Sequence, residues 1–228
     1  MTTTRIVCLT FPVVTQLDLT GPAQVFARMP DVEVQFAWHR IEPVSTDAGF
    51  SILPSTTFED AGQADVLFVP GGAGAFHLFD DEVALDFIRT QAVGARFVTS
   101  VCTGSFALGA AGLLAGRRAT SHWGSLAMLE EFGAIPTSQR VVRDGKLITG
   151  AGVSSGIDFA LSLTAELFGD AQAKRIQLGI EYDPAPPFDA GSPDRPDADQ
   201  AQVTAFRARM DEVRRPLVRR AAERLSAN

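Results

Sequence analysis

Phe97-Val98-Thr99-Ser100-Val101-Cys102-Thr103-Gly104-Ser105-Phe106-Ala107-Leu108-Gly109 decides how this chain folds. An apolar, β-branched run of strand length passes without a linker into small residues with a helical pattern. A strand that turns straight into a helix lifts the turn residue, Cys102, above the end of a sheet. Its side chain then faces the free N–H groups of a helix N-terminus, which favour negative charge. The expectation is an accessible thiol that loses its proton more readily than an isolated one, the thiolate being the reactive form. Gly104, Ser105, Ala107 and Gly109 leave room for so sharp an elbow. A cysteine buried in the core is the commoner fate of a free thiol; a strand-to-helix turn argues for the reactive one.

Outward from this turn, short β-branched runs alternate with helical patterns, the sign of a mainly parallel sheet covered by helices. Strands are predicted at about 5–11, 32–38, 65–69 and 95–101, with a small β excursion over 43–53. Asp144-Gly145, between 141–143 and 146–149, predicts a type I′ hairpin. Helices are predicted at about 19–29, with Pro22 in the first turn, and at 80–92, 103–114, 123–132, 154–168 and 170–181. Asp183 to Pro193 is too rich in proline for helix or central strand and reads as an extended arm. An Arg-rich helix, interrupted or kinked at Pro216, follows over about 198–225. The reading is one α/β doubly wound domain over residues 1–182. Residues 183–228 form an arm and C-terminal helix that belong to the same domain or grip a second subunit.

The 228 residues are 46% hydrophobic and 21% charged, enough to fill a sizeable core. A formal net charge of -7 argues against nucleic acid, whose binding rests on neutralising phosphates. Two widely spaced cysteines make no disulfide framework and suit a reducing cytoplasm; Cys8, inside Ile6-Val7-Cys8-Leu9, reads as core. No apolar run has the length to span a membrane, and the first residues do not read as a signal peptide.

In an open α/β sheet, ligands gather at the carboxyl ends of the strands. Three such ends carry suggestive residues: Gln16-Leu17-Asp18-Leu19, Pro70-Gly71-Gly72-Ala73-Gly74 and Cys102-Thr103-Gly104. Asp18, the Gly71 and Gly72 amides and the Thr103 N–H are expected to converge on Cys102, the amides stabilising developing negative charge. Leucines on both sides of Asp18 predict a desolvated carboxyl with a raised pKa. Asp18 taken alone would read as the N-cap of the first helix. Gly71-Gly72-Ala73-Gly74 lacks the lysine and the spacing of a phosphate loop. His122, in Thr120-Ser121-His122-Trp123, is an acid–base candidate but reads as a packed residue, and His39 and His77 as surface residues. Scattered histidines and cysteines have no metal-ligand spacing. Arg207, Arg209, Arg214, Arg215, Arg219, Arg220 and Arg224 read as solvated or subunit-facing surface, and the acids among them argue against a nucleic-acid stripe.

Leu17-Asp18-Leu19-Thr20-Gly21-Pro22, Val69-Pro70-Gly71-Gly72 and Ser100-Val101-Cys102-Thr103-Gly104-Ser105 resemble the ThiJ/PfpI superfamily. Ala119–Trp123, Arg140–Gly145, Gly156–Leu161 and Glu181–Pro193 make the chain similar, within it, to the isocyanide hydratases. The resemblance runs over nearly the whole chain. It implies a flavodoxin-like fold, a homodimer, no cofactor, an isocyanide as small-molecule substrate, and Cys102 assisted by Asp18, with Gly71, Gly72 and Thr103 lining the pocket. Gly150-Ala151-Gly152-Val153 departs from a more glycine-rich run in similar hydratases, which makes Ala151 and Val153 further pocket candidates.

The chemistry fits: the Cys102 thiolate attacks the electrophilic carbon of the isocyanide to give a thioimidate, with Asp18 as acid and base, and water releases an N-substituted formamide. One rival is a glyoxalase or deglycase using the same thiol, a group that tends to carry Glu in place of Asp18. The other is a ligand-sensing domain like those of AraC-type regulators, which continue into a helix-turn-helix domain; here the chain ends soon after its last helix.

Overall fold

The structure, a computed structural model, describes residues 3–227. A seven-stranded sheet positions the site. Its first strand, β1 (Thr4–Leu9), runs parallel between β2 (Val32–Trp38) and β6 (Val66–Val69), and β7 (Phe97–Val101) lies on the far side of β6. β5 (Thr56–Thr57) closes one edge. The other is a hairpin of β10 (Val141–Asp144) and β11 (Leu147–Gly150), where β11 is parallel to β7 and antiparallel to β10. The order is β10-β11-β7-β6-β1-β2-β5. Ile6 to Leu9, Val66 to Val69 and Phe97 to Val101 are buried throughout, which is why they read as unbroken apolar runs rather than alternating ones. Two-residue strands β3 (Val44–Ser45) and β4 (Ser51–Ile52) make the expected β excursion, and β8 (Arg118–Ala119) and β9 (Ile135–Pro136) a small parallel pair.

Helices cover both faces, as the alternation predicts. α1 (Gln16–Phe26) packs on α4 (Ser155–Phe168), which also carries α5 (Asp170–Gly179). Phe26, Phe68 and Phe159 fill this layer, with Phe68 and Phe159 stacked 5.5 Å apart. α2 (Glu82–Gly94), α3 (Gly104–Ala110) and α6 (Gln200–Ala227) form the other layer with 3₁₀ segments at Ala73–Asp80 and Leu126–Phe132. There Phe76, Phe79, Phe106 and Phe132 interlock ring on ring. Truncating one of these rings to alanine is worth about 3–5 kcal/mol.

Several boundaries differ from the sequence reading. α1 starts at Gln16 rather than near 19, which places Asp18 and Pro22 inside it. The chain before it is tied down from outside: Val13 adopts a left-handed φ of 59°, Thr15 N–H donates to Gly71 O, and Gln16 N–H donates to Asp47 Oδ1. Asp47 thus serves the helix N-terminus, and the N-cap reading of Asp18 is wrong. The hairpin exists, but Asp144 pairs with Leu147, so the turn residues are Gly145 and Lys146. Only Gly145 has positive φ, which excludes the type I′ turn on Asp144-Gly145. α3 stops at Ala110, before the left-handed Gly112, and the helix expected at 123–132 is a 3₁₀ segment. α6 runs through Pro216 without interruption. It packs on α3 and both 3₁₀ segments and buries Val203, Met210, Val218 and Ala221, so the C-terminal helix belongs to this core. Residues 183–199 between α5 and α6 hold neither helix nor strand. No helix among the described residues is long and apolar enough to cross a membrane.

Candidate active site

Cys102 follows the last residue of β7 and precedes α3. Its φ of 55° is a left-handed conformation that a residue with a side chain adopts only when its surroundings impose it. Here they do. Its N–H donates to Gly150 O (3.0 Å) and Ala151 O (2.7 Å), and its carbonyl accepts from Ser121 Oγ (2.9 Å) and Ser105 Oγ (3.1 Å). Gly104 starts α3 so close to the end of β6 that a Cβ there would collide with the Val69 carbonyl oxygen. These contacts build the elbow read from the sequence.

Asp18 points into the protein from the first turn of α1 and is fully buried. Its Oδ2 accepts from Gly71 N–H at 3.1 Å, and its Oδ1 has no hydrogen-bond partner among the described residues. A Cβ on Gly71 would lie 2.6 Å from Asp18 Oδ2, 2.6 Å from Thr103 N and 2.8 Å from Cys102 Cβ. The carboxyl, the helix N-terminus and the cysteine therefore face one another across the width of a methyl group, and only glycine leaves that space open. Burial raises the Asp18 carboxyl to about 7; the Cys102 thiol and the Gly71 amide pull it back, and Asp47 pushes it further up.

Two expectations fail here. The thiol is not accessible but 5% exposed, and burial pushes its pKa well above the usual thiol range, with the Asp18 charge adding to the rise. The Thr103 N–H and Arg214 oppose this without reversing it. A single turn of partial positive charge does not outweigh desolvation of a thiolate. The second concerns the amides. The Gly71 N–H is taken by Asp18, and the Gly72 N–H by Thr103 Oγ1 (2.9 Å), whose hydroxyl donates back to Gly72 O (3.0 Å). Neither is a free oxyanion donor; the Thr103 N–H is the amide that faces the sulfur. Asp18, Gly71 and Thr103 do meet at Cys102, as read.

His122 is a packed residue: Nδ1 accepts from Gly124 N–H (3.2 Å), and the ring lies against Trp123 and Phe206. Burial and then Arg214 bring its pKa down to about 4, so it is neutral at neutral pH. A Cβ on Gly152 would touch its ring. Ala151 enters the site through its carbonyl on the Cys102 N–H, whereas Val153 packs half-buried against the core. His39 meets Asp81 at 2.6 Å and His77 is exposed, both outside the site.

Sequence reasoning missed Arg214. It belongs to α6 but is half-buried and close enough to act on both Cys102 and His122. A signal existed. Val203, Phe206, Met210, Leu217 and Ala221 recur at helical spacing along the inner face of α6, and Arg214 occupies the same stripe.

A model of the DJ-1/PfpI family matches residues 4–166. The isonitrile hydratase of Pseudomonas putida is 53% identical over 221 residues, 96% of each chain. Protein DJ-1alpha of Drosophila melanogaster is 31% identical over 71% of this chain and 76% of its own. Among solved structures, a ThiJ/PfpI family protein from Pseudomonas syringae superposes with a TM-score of 0.91 at 42% identity, over 97% of this chain and 91% of the other.

Proposed function

The chain belongs to the DJ-1/PfpI family, and from that premise we propose that it is an isocyanide hydratase, a lyase that turns an isocyanide and water into an N-substituted formamide. Near-full-length identity to the Pseudomonas putida isonitrile hydratase carries this reading. The site supplies chemistry that fits it.

Cys102 is the nucleophile and Asp18 its proton shuttle. With a pKa near 7, Asp18 is matched to taking and giving protons at neutral pH. As the sulfur attacks the terminal carbon of R–N≡C, the S–H bond breaks, its proton passes to Asp18, and an S–C bond forms. Addition leaves the electron pair on that carbon, so Asp18 returns the proton there and gives the thioimidate Cys–S–CH=N–R. Water then adds across C=N: its oxygen bonds carbon, and nitrogen gains a proton through Asp18. The C–S bond breaks, the hydroxyl proton returns to sulfur, and R–NH–CHO leaves. All these steps need is a buried carboxyl beside a thiol, with the Thr103 N–H facing the sulfur. The neutral thiol of the resting site fits this sequence, because the base acts at the moment of attack.

In the same reading the protein is a cytoplasmic homodimer. Val13, Leu17 and Phe50 are exposed apolar residues on segments joined by Val13 N–H to Ser45 O and Gln16 N–H to Asp47 Oδ1, a patch suited to a subunit contact. Purified protein incubated with an aryl isocyanide should yield the formamide, followed by chromatography. No formamide with stoichiometric protein, or full turnover by Cys102→Ala, would refute the assignment.

A further inference from the structure

Arg214 is the arginine whose placement the core does not explain. Three other arginines of α6 have carboxylate partners: Arg215 holds Asp211 (2.7 Å) and Glu131 (2.8 Å), Arg219 shares Glu131 (3.1 Å), and Arg224 reaches Asp80 (2.9 Å). Arg207, Arg209 and Arg220 are exposed to solvent. Arg214 has no carboxylate partner among the described residues. Its Nη1 donates to Ser125 Oγ at 2.8 Å, and its guanidinium lies over the Phe76 ring, 4.9 Å from the centroid.

Both contacts tie it to segments that support the elbow. Phe76 packs on Phe106 of α3, 5.2 Å between ring centres. Ser125 N–H donates to His122 O, at the end of a short segment whose Ser121 hydroxyl holds the Cys102 carbonyl. A half-buried guanidinium is held more favourably when a counter-charge faces it. The negative charge that faces it is the one Cys102 carries once its proton has left. Cys102 is also the group that raises the Arg214 pKa against burial. Other charges facing the pair do not do this job: Asp47, from the loop between β3 and β4, is negative, and His122 is neutral.

We propose that Arg214 is a positioning residue of this active site: delivered by the C-terminal helix, its fixed positive charge holds the negative charge that develops on Cys102 and passes to the bound isocyanide. The last part of that path rests on the function proposed above; the first does not. The C-terminal helix is then part of the active site as well as of the core.

The test is alkylation of Cys102 by iodoacetamide across a pH series, read by intact mass spectrometry, with turnover of a neutral aryl isocyanide in parallel. Arg214→Met should raise the pH midpoint of alkylation by roughly one unit, the effect of one nearby charge. Arg214→Lys should restore most of it. In turnover, kcat should fall roughly tenfold in Arg214→Met with KM within about twofold. Ser125→Ala keeps the charge but removes its tether, and should move the midpoint upward by less. An unmoved midpoint in both Arg214→Met and Ser125→Ala overturns the proposal, as does Arg214→Lys shifting as far as Arg214→Met, which would mean packing rather than charge. Alkylation needs no isocyanide, so a protein inert towards isocyanides would sink the assigned reaction while leaving the midpoint comparison intact.

Discussion

Cys8 and Cys102 stand on either side of the same central strand, Cys8 within β1 and Cys102 just past the end of β7. Both are buried, and burial pushes both thiols up. Cys8 is paired in register with Phe36 and Phe68, and burial alone accounts for its shift. Cys102 has a left-handed backbone, a buried carboxyl in front of it, an amide at the foot of α3 and an arginine from α6. Exposure does not separate the two sulfurs. What separates them is a proton acceptor in contact and charge to hold the result, so burial quiets one thiol and poises the other.

The comparison breaks at once if Cys102 is dispensable. Cys102→Ala should lower turnover by on the order of 10⁴ or more, measured as formamide release, since losing a nucleophile removes a whole pathway. Asp18→Asn comes next, with a loss of about 10²–10⁴ in kcat. In the wild type, kcat/KM should rise with pH through about 7 as Asp18 ionises and becomes able to take the thiol proton; in Asp18→Asn that limb should vanish. Stability should move the other way. The folded Asp18 value lies above the ordinary aspartate value of 3.8, so its ionisation opposes folding. The stability this group contributes is whole below about pH 4 and is lost as pH rises to about 7. Asp18→Asn should therefore be the more stable protein at pH 8, by at most about 4 kcal/mol, with the advantage fading towards pH 4 in denaturant titrations.

Thr103→Val sharpens the comparison at smaller scale. The Thr103 hydroxyl satisfies both the N–H and the carbonyl of Gly72, and valine would leave a buried amide without a partner. The expected loss is about 1–3 kcal/mol in urea unfolding. Cys8 offers no such handle in register, where its partners are Phe36 and Phe68.

The elbow was legible in the sequence because strand, turn and helix are contiguous there, and each obeys a local rule. The meeting of Asp18, Gly71 and Thr103 with Cys102 was legible because the parallel topology brings strand ends together. The role of Asp47 was not: it takes the helix N-terminus from across the sheet edge, which frees Asp18 to turn inward. Nor was the direction of the Cys102 shift, since a local dipole can be read from sequence order while desolvation depends on everything packed around the sulfur. Arg214 lay within a stretch read as surface, and its breach of the apolar stripe acquires meaning only once α6 docks on α3.

The smallest effect tests the quiet half of the comparison. Cys8→Ala removes one buried sulfur from a strand that is fully enclosed. With no charge or donor to strand, only packing is lost, so the expected cost is about 1 kcal/mol in denaturant unfolding. Turnover and the alkylation midpoint of Cys102 should match the wild type, because β6 stands between the two strands and no polar contact of Cys8 leads to the elbow. A tenfold fall in kcat in a fully folded Cys8→Ala protein would mean that the sheet transmits packing to the elbow. The contrast between the two sulfurs would then lie in the core they share rather than in the groups that face them.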